Sequence, residues 1–315
     1  MQTESTIPGL EQPEHWFSGH ESFAIRHGWL PKAVTRIKEY PDIFLRDDAL
    51  VLLGVGKNMV RSIRHWALAT RVLAEGSFVP GTRSRSITPS ALGELLFGDG
   101  AADPYLEDPA TLWVLHWELS GKKDGPTVWW WMFNELHDVE FTKARVLASL
   151  LQYVGRTEGK KIAEQSVSKD IDCLIRSYLT RSDPKEGIAE ESLECPLVEL
   201  GLLQELDDGV LAFNRGEHPS LPPAVVAYAT LDYWDRMAPH KNTMTFDQVA
   251  YQPGSPGRVF KLTENALSEH LEAIEGLTHK KVTYDVTAGL RQLYRRPPVE
   301  ALSVLCEYYD KNRGR

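Results

Sequence analysis

The stretch Gly54-Val55-Gly56-Lys57-Asn58-Met59-Val60-Arg61-Ser62-Ile63-Arg64-His65-Trp66 constrains the fold more than any other part of this chain. Two glycines separate the apolar run Ala49–Leu53 from a segment whose hydrophobes and cations lie on opposite sides. At about 100° per residue, Met59, Val60, Ile63, Trp66, Ala67 and Thr70 share one helix face. Lys57, Arg61, Arg64 and His65 fall on the other. The apolar face must be buried against other helices. A helix, a glycine turn and a second helix with a basic N-terminal half is the arrangement by which a helix-turn-helix reads DNA.

The pattern continues as mainly α with short β-hairpins. Pro31 opens a helix to Glu39, since Pro suits a first turn. Asp47–Leu53 and Lys57–Leu73 form the helix pair. Phe78–Ile87, turning at Pro80-Gly81, reads as a hairpin wing, and Thr88 caps a helix over Pro89–Phe97. This is a winged helix-turn-helix layout. Two aromatic helices, Thr111–Leu119 and Val128–Leu136, concentrate Trp113, Trp117, Trp129, Trp130, Trp131 and Phe133, as a core or an interface between lobes. Further helices follow: one capped by Thr142 with a stripe at Val146, Leu147, Leu150, Leu151 and Val154, and one striped at Val167, Ile171, Leu174, Ile175 and Tyr178. Ser182–Glu194 reads as a polar linker, Leu202–Phe213 as a hairpin, and Pro222–Met237 as a helix capped near Ser220. In the tail, Phe246–Tyr251 and Arg258–Leu262 read as a hairpin about Gly254-Ser255-Pro256-Gly257. Helices are expected at Glu264–Glu275 and Asp285–Tyr294, with a last one after Pro297-Pro298. The expected domains are 1–138, winged-helix-like and DNA-binding with the Trp-rich segment, and 139–315, helical with winged-helix-like units.

Charge bears on the partner. The chain carries a formal net charge of −9, which argues against unspecific coating of nucleic acid. Yet residues 54–90 hold six Lys/Arg against one acid, and residues 94–124 hold seven acids against two lysines. A basic element followed by an acidic one suggests a DNA face beside a surface of another role. The three cysteines, Cys173, Cys195 and Cys306, form no CxxC pair and read as reduced thiols. No apolar run is long enough for a membrane span, and the first residues lack signal-peptide character. The expectation is a cytoplasmic, nucleoid-associated protein.

Lys57, Asn58, Arg61 and Arg64 are the candidate base and phosphate contacts, with Arg83 and Arg85 on the wing. Gly54-Val55-Gly56-Lys57-Asn58 lacks the spacing and hydroxyl of a Walker loop, so no nucleotide cofactor is expected. Its backbone amides, at a helix start, can still meet a DNA phosphate. His20, Glu21 and His27 are candidate acid–base or ligand groups for phosphodiester cleavage, although the spacing is not His-Glu-x-x-His. The bland alternative is that Glu21, Arg26 and the histidines satisfy one another under the first helix. Asp99 and Asp103, in an acidic Gly/Pro loop, are candidate ligands for Mg2+ or another divalent metal. Against that stands the habit of such loops to spend their Asp residues as caps. His116 and Glu118 are further possible ligands.

Phe17–Val34, Gly54–Leu73, Phe97–Leu119 and Gly254–Leu262 resemble, in order, a bacterial family known only as a domain of unknown function. The resemblance covers nearly the whole chain. Members of that family occur beside the sulfur-transfer enzymes of DNA phosphorothioation systems. The best known is the DNA-nicking component of single-strand phosphorothioate modification, working with a cysteine desulfurase, an ATP-pyrophosphatase-type protein and an ATPase. The resemblance implies a double-stranded-DNA-binding protein that nicks one strand in phage defence, with sulfur-transfer and ATPase partners. No catalytic residue carries over from the family. The alternative is a binding and recruitment module or regulator without chemistry of its own, its Trp-rich segment serving as a partner or homodimer surface.

Overall fold

The computed structural model describes residues 15–79, 84–155, 162–179, 195–207 and 209–313. Its first helix, α1, runs Trp29–Glu39 and buries Trp29, Leu30, Ala33, Val34 and Ile37. Pro31 therefore sits inside the first turn, where its missing N–H is not needed. A short helix, α2 (Ala49–Leu53), ends at Gly54, whose φ of 62° is left-handed. The Val55 N–H reaches the Leu50 carbonyl at 3.1 Å and the Gly54 N–H that of Val51 at 3.2 Å, a Schellman close.

α3 (Lys57–Ala69) follows and buries Ile63, Trp66, Ala67 and Ala69, the face expected from the sequence. It stops short of Leu73 because Arg71 takes a φ of 57° and Leu73 begins a strand. That strand, β1 (Leu73–Phe78), pairs antiparallel with β2 (Arg85–Pro89) across a bulge between Glu75 and Phe78. The hairpin is thus longer on its first arm than expected. Pro89 ends a strand instead of starting a helix, and Ser90 takes the cap of α4 (Ala91–Phe97), accepting from the Gly93 N–H at 2.9 Å. Ser beats Thr88 because Pro89 opposite Leu73 is the strand's last pair, where a ladder donor is dispensable.

The centre is aromatic. α5 (Pro109–Ser120), capped by Asp108, is buried from Ala110 to Ser120, and α6 (Thr127–Asn134) is buried throughout. A helix apolar on all sides belongs inside a protein. Trp113, Trp117 and Trp129 are fully buried, so the Trp-rich segment is core and not the partner or homodimer surface that the alternative reading required.

Around this centre lie two further groups. β3 (Glu140–Thr142), α7 (Lys143–Gly155), α8 (Glu164–Tyr178), β4 (Leu203–Glu205) and β5 (Val210–Phe213) form one, with strand order β3-β5-β4. The polar linker 182–194 and Asp208 lie outside the described residues. α9 (Pro223–Met237) is nearly all buried. Ser220 does not cap it; its hydroxyl accepts from the Trp113 indole at 3.1 Å.

The tail departs most from expectation. β6 (Thr243–Thr245) leads into α10 (Phe246–Tyr251), started by a Thr245/Gln248 capping box, and Pro256–Val259 is a helical turn, α11. The expected hairpin here is therefore helical. After α12 (Glu264–Glu272) and α13 (Ile274–Leu277), the residues expected as a helix form the hairpin β7 (Val282–Thr287) and β8 (Leu290–Arg295). Its turn, Ala288-Gly289, has both φ positive (51° and 82°), the demand of a tight hairpin turn. β6-β8-β7 make the third small antiparallel sheet. α14 (Ala301–Asn312) ends the described chain, and its Tyr309 hydroxyl meets Thr111 on α5 at 2.8 Å.

Buried hydrogen bonds cross residue 138 in several places. His116 on α5 bonds Tyr178 on α8 at 2.8 Å and the Val259 carbonyl at 3.0 Å, and Tyr228 on α9 donates to Glu118 at 2.7 Å. No helix among the described residues is long and apolar enough to cross a membrane.

Candidate nucleic-acid interface

The first turn of α3 has no side-chain cap; Gly56 is its N-cap residue. Its leading backbone N–H groups therefore face outward with the positive end of the helix dipole. Lys57 and Asn58 are exposed beside them, and Lys57 has no ion pair among the described residues. Arg61 is exposed one turn on and touches Glu21 at 3.4 Å. Arg64 is engaged at 2.8 Å by Glu75 on β1. Such exposed pairs are worth only about 0–1 kcal/mol, so a phosphate can displace either acid.

Arg85 lies on β2 with its guanidinium 4.7 Å from the Phe78 ring centroid, and Arg83 lies outside the described residues. Arg64, Phe78 and Arg85 line a groove of about 560 Å³ between the hairpin and the turn at Pro41–Leu45.

His65 does not belong to this cationic face. It is buried, with its ring edge-on to Trp66 at 4.9 Å and Trp16 at 5.2 Å. Burial, then the neighbouring His20 and Arg64, push its pKa down to about 3. The helical wheel places it on the cationic face, but the N-terminal loop folds over that side and buries it. Gly19 packs so closely that a Cβ there would lie 2.6 Å from His65 Nδ1.

His20 is equally committed. Its Nδ1 accepts the Ser22 N–H at 3.0 Å, so Nε2 carries the proton and donates to Asp170 on α8 at 2.9 Å. The other Asp170 oxygen accepts the Ser18 N–H at 2.9 Å. Both residues are buried. The pair pins the N-terminal loop to α8, and Arg176 adds a bond to the Ser22 carbonyl at 2.6 Å. Glu21 is left partly exposed beside Arg61, and His27 is exposed just before α1. The structure thus brings Glu21 to the α3 cations and turns His20 inward. Asp170 was the missed residue, although an acid within the buried stripe Val167–Ile171–Leu174 is a visible signal of an interior partner.

Asp99 and Asp103 are not joined. Asp99 is exposed and paired with Lys38 at 3.0 Å. Asp103 is buried and spends both oxygens on the backbone N–H groups of Glu107 (2.8 Å) and Asp108 (3.1 Å). His116 is neutral, its pKa pushed to about 3 by burial, and Glu118 is held by Tyr228, Lys122 and Arg71. Among the described residues no three His, Cys, Asp or Glu side chains gather as a metal-binding group, and Asp99 and Asp103 are engaged with different partners.

The geometry defines a mainly helical protein with small antiparallel sheets and an exposed cationic helix start at α3 on a chain of net negative charge. The family described as "Protein of unknown function (DUF4007)" matches residues 17–309, and the chain belongs to it. Two solved structures are similar. "Magnesium ion-bound SspB crystal structure" superposes with a TM-score of 0.86 at 34% identity, covering 95% of this chain and 89% of that one. "SspB crystal structure" does so with a TM-score of 0.85, the same identity and the same coverage. No curated protein matches.

Proposed function

We propose that this chain is a DNA-binding component of a DNA phosphorothioation and phage-defence system, in which one strand is nicked so that sulfur can enter. In this reading α2, α3 and the β1–β2 hairpin act as a winged helix-turn-helix. The observation that carries it is the uncapped start of α3 with Lys57, Asn58 and Arg61 exposed around it on a chain of net charge −9. Phosphates prefer such a helix start, and cations that survive on an acidic surface act locally. The likeness to SspB supports the system, with sulfur-transfer and ATPase proteins as partners.

For the nick itself, Glu21 and His27 are the accessible acid–base groups, while His20 holds the loop that presents them. One observation favours the rival reading of a recruitment module without chemistry. Both nitrogens of His20 and both oxygens of Asp103 are already bonded, which leaves few free catalytic groups.

DNA affinity should fall with salt, because phosphate contacts release counterions. The Lys57→Ala/Arg61→Ala variant is expected to bind weakly, with the log–log salt slope reduced by about 1 for each phosphate no longer neutralised. An unchanged slope refutes the interface. Supercoiled-plasmid relaxation with Mg2+ or Mn2+ separates the two readings: nicking by wild type that Glu21→Gln abolishes establishes the enzyme, and intact plasmid leaves the module.

A further inference from the structure

A second groove lies far along the chain from α3. It measures about 520 Å³ and is formed by the loop Leu136–Val139, the end of β5 with Arg215, α10, α11 and the start of α12. Three cations line it: Arg215, Arg258 and Lys261. None forms an ion pair with a carboxylate among the described residues.

The two carboxylates that also line it are engaged elsewhere. Asp138 pairs with Arg145 at 2.5 Å, and Glu264 pairs with Arg291 at 2.7 Å and accepts from the Tyr251 hydroxyl. Glu135 acts on Arg258 only at longer range.

Lys261 is the informative residue. It is only 3% exposed, and its backbone is left-handed at a φ of 53°, a conformation unusual for a residue with a side chain. Its ammonium donates to the Phe133 carbonyl at 2.9 Å and lies 4.2 Å from the Phe213 ring centroid. An ammonium has three donors, and the described residues supply one conventional acceptor. Buried charges are ordinarily paired. Burial, then Arg215 and Arg258, hold its pKa well below the usual lysine range, which is what an anion would relieve.

Arg258 is fixed towards the same space: it donates to the Tyr251 carbonyl at 3.2 Å and to His137 Nε2 at 3.2 Å. His137 is held for this by giving its Nδ1 proton to the Glu135 carbonyl. The backbone beneath is tightly built, since a Cβ on Gly257 would lie 2.5 Å from the Ala250 carbonyl oxygen.

We propose that this groove is a phosphate-binding site in which Arg258 and Lys261 hold the oxyanion and Arg215 closes the rim. It is separate from the α3 interface and does not depend on it. The phosphate can belong to a nucleic-acid strand or be free in solution; the chemistry recognised is the same.

The test is thermal-shift titration and calorimetry of the full chain with sodium phosphate, against sodium chloride at equal ionic strength. Saturable stabilisation by phosphate is expected. Arg258→Gln should weaken it at least about tenfold, the scale of a lost charged hydrogen bond. Lys261→Met, which keeps the buried stem and removes the charge, should do likewise, both variants being compared in the Lys57→Ala/Arg61→Ala background so that the α3 start contributes no phosphate contact. Competition by a single-stranded oligonucleotide in the Lys57→Ala/Arg61→Ala background identifies a strand phosphate as the ligand; absence of competition beside saturable phosphate binding identifies the free ion. No saturable shift in wild type, or equal shifts in both folded groove variants, overturns the proposal.

Discussion

Asp170→Asn is a near-isosteric change whose cost follows from counting donors. In the folded protein the Asp170 carboxylate offers an acceptor to His20 Nε2–H and another to the Ser18 N–H, at 2.9 Å each. His20 Nδ1 must stay an acceptor for the Ser22 N–H. An amide has one oxygen and one NH2. If its oxygen faces His20, its NH2 opposes the Ser18 N–H. If its oxygen faces Ser18, its NH2 demands the other histidine tautomer, and a ring N–H then opposes Ser22. Either way one backbone donor in the loop is unmet, at about 1–3 kcal/mol. His20→Ala should cost about 3 kcal/mol or more by leaving a buried carboxylate without its main partner. In that background Asp170→Asn should be neutral or stabilising, because an amide tolerates the loss better than a charge. Urea midpoints of wild type, both single variants and the double variant close the cycle. Additivity within about 0.5 kcal/mol would refute the tautomer argument. His20→Gln, whose amide can still donate to Asp170, should recover much of the stability, and DNA processing that survives in it places His20 in the scaffold.

Three further outcomes follow from the same geometry. His65 has a pKa lowered to about 3, so the unfolded chain takes up its proton from about pH 6.5 downward while the folded one refuses it. The stability it contributes is present above pH 6.5 and is lost as pH falls towards 3; urea unfolding of His65→Phe should show a pH slope shallower by up to about 1.4 kcal/mol per unit in that window. Gly93→Ala should destabilise by about 1–3 kcal/mol or prevent folding, because its Cβ would lie 1.9 Å from the Val72 carbonyl oxygen, and a wild-type melting temperature would contradict that close approach. Gly54→Ala should cost about 1 kcal/mol for its left-handed φ of 62° without weakening packing, since no atom lies within 4 Å of the added Cβ; a larger loss in a denaturant titration would mean the turn carries an unseen constraint.

What the sequence revealed was local periodicity. Ile63, Trp66 and Ala67 recur at helical spacing and are buried together, and the hairpin near Arg85 shows in its flanking strand residues. Local cues failed where two elements share a vocabulary. Gly254-Ser255-Pro256-Gly257 reads as a hairpin turn, yet Pro256 occupies the first position of a helical turn and Thr245-Gln248 closes a capping box before it. Asp285–Tyr294 is expected as a helix, but Val282, Tyr284 and Val286 alternate with period two ahead of the Ala288-Gly289 turn. The site was less legible still. His20 and Asp170 are 150 residues apart, and nothing within either segment names the other. The same holds for Lys261, whose aromatic neighbours Phe133 and Phe213 come from two distant segments.

Charge along the chain also differs from charge in space. The basic residues 54–90 and the acidic residues 94–124 suggested two surfaces, but much of the acidity is already partnered, inside or at the surface. Asp103 holds backbone amides, Asp108 caps α5, Glu118 is buried under Lys122 and Tyr228, and Glu94 and Asp99 share Lys38. The cations divide in the same way: Arg71 turns inward to Glu118 and Asp124, and Arg64 is held by Glu75. Lys57 and Arg61 remain at the start of α3, Arg61 with Glu21 at 3.4 Å, so the local field there is set by few side chains and the open helix end. An interface so small cannot bind tightly through charge alone at physiological salt, where fields fall off over about 8 Å. If the proposed DNA binding is tight it requires a second contact, for which the wing with Arg85 and the groove of Arg258 and Lys261 are the candidates.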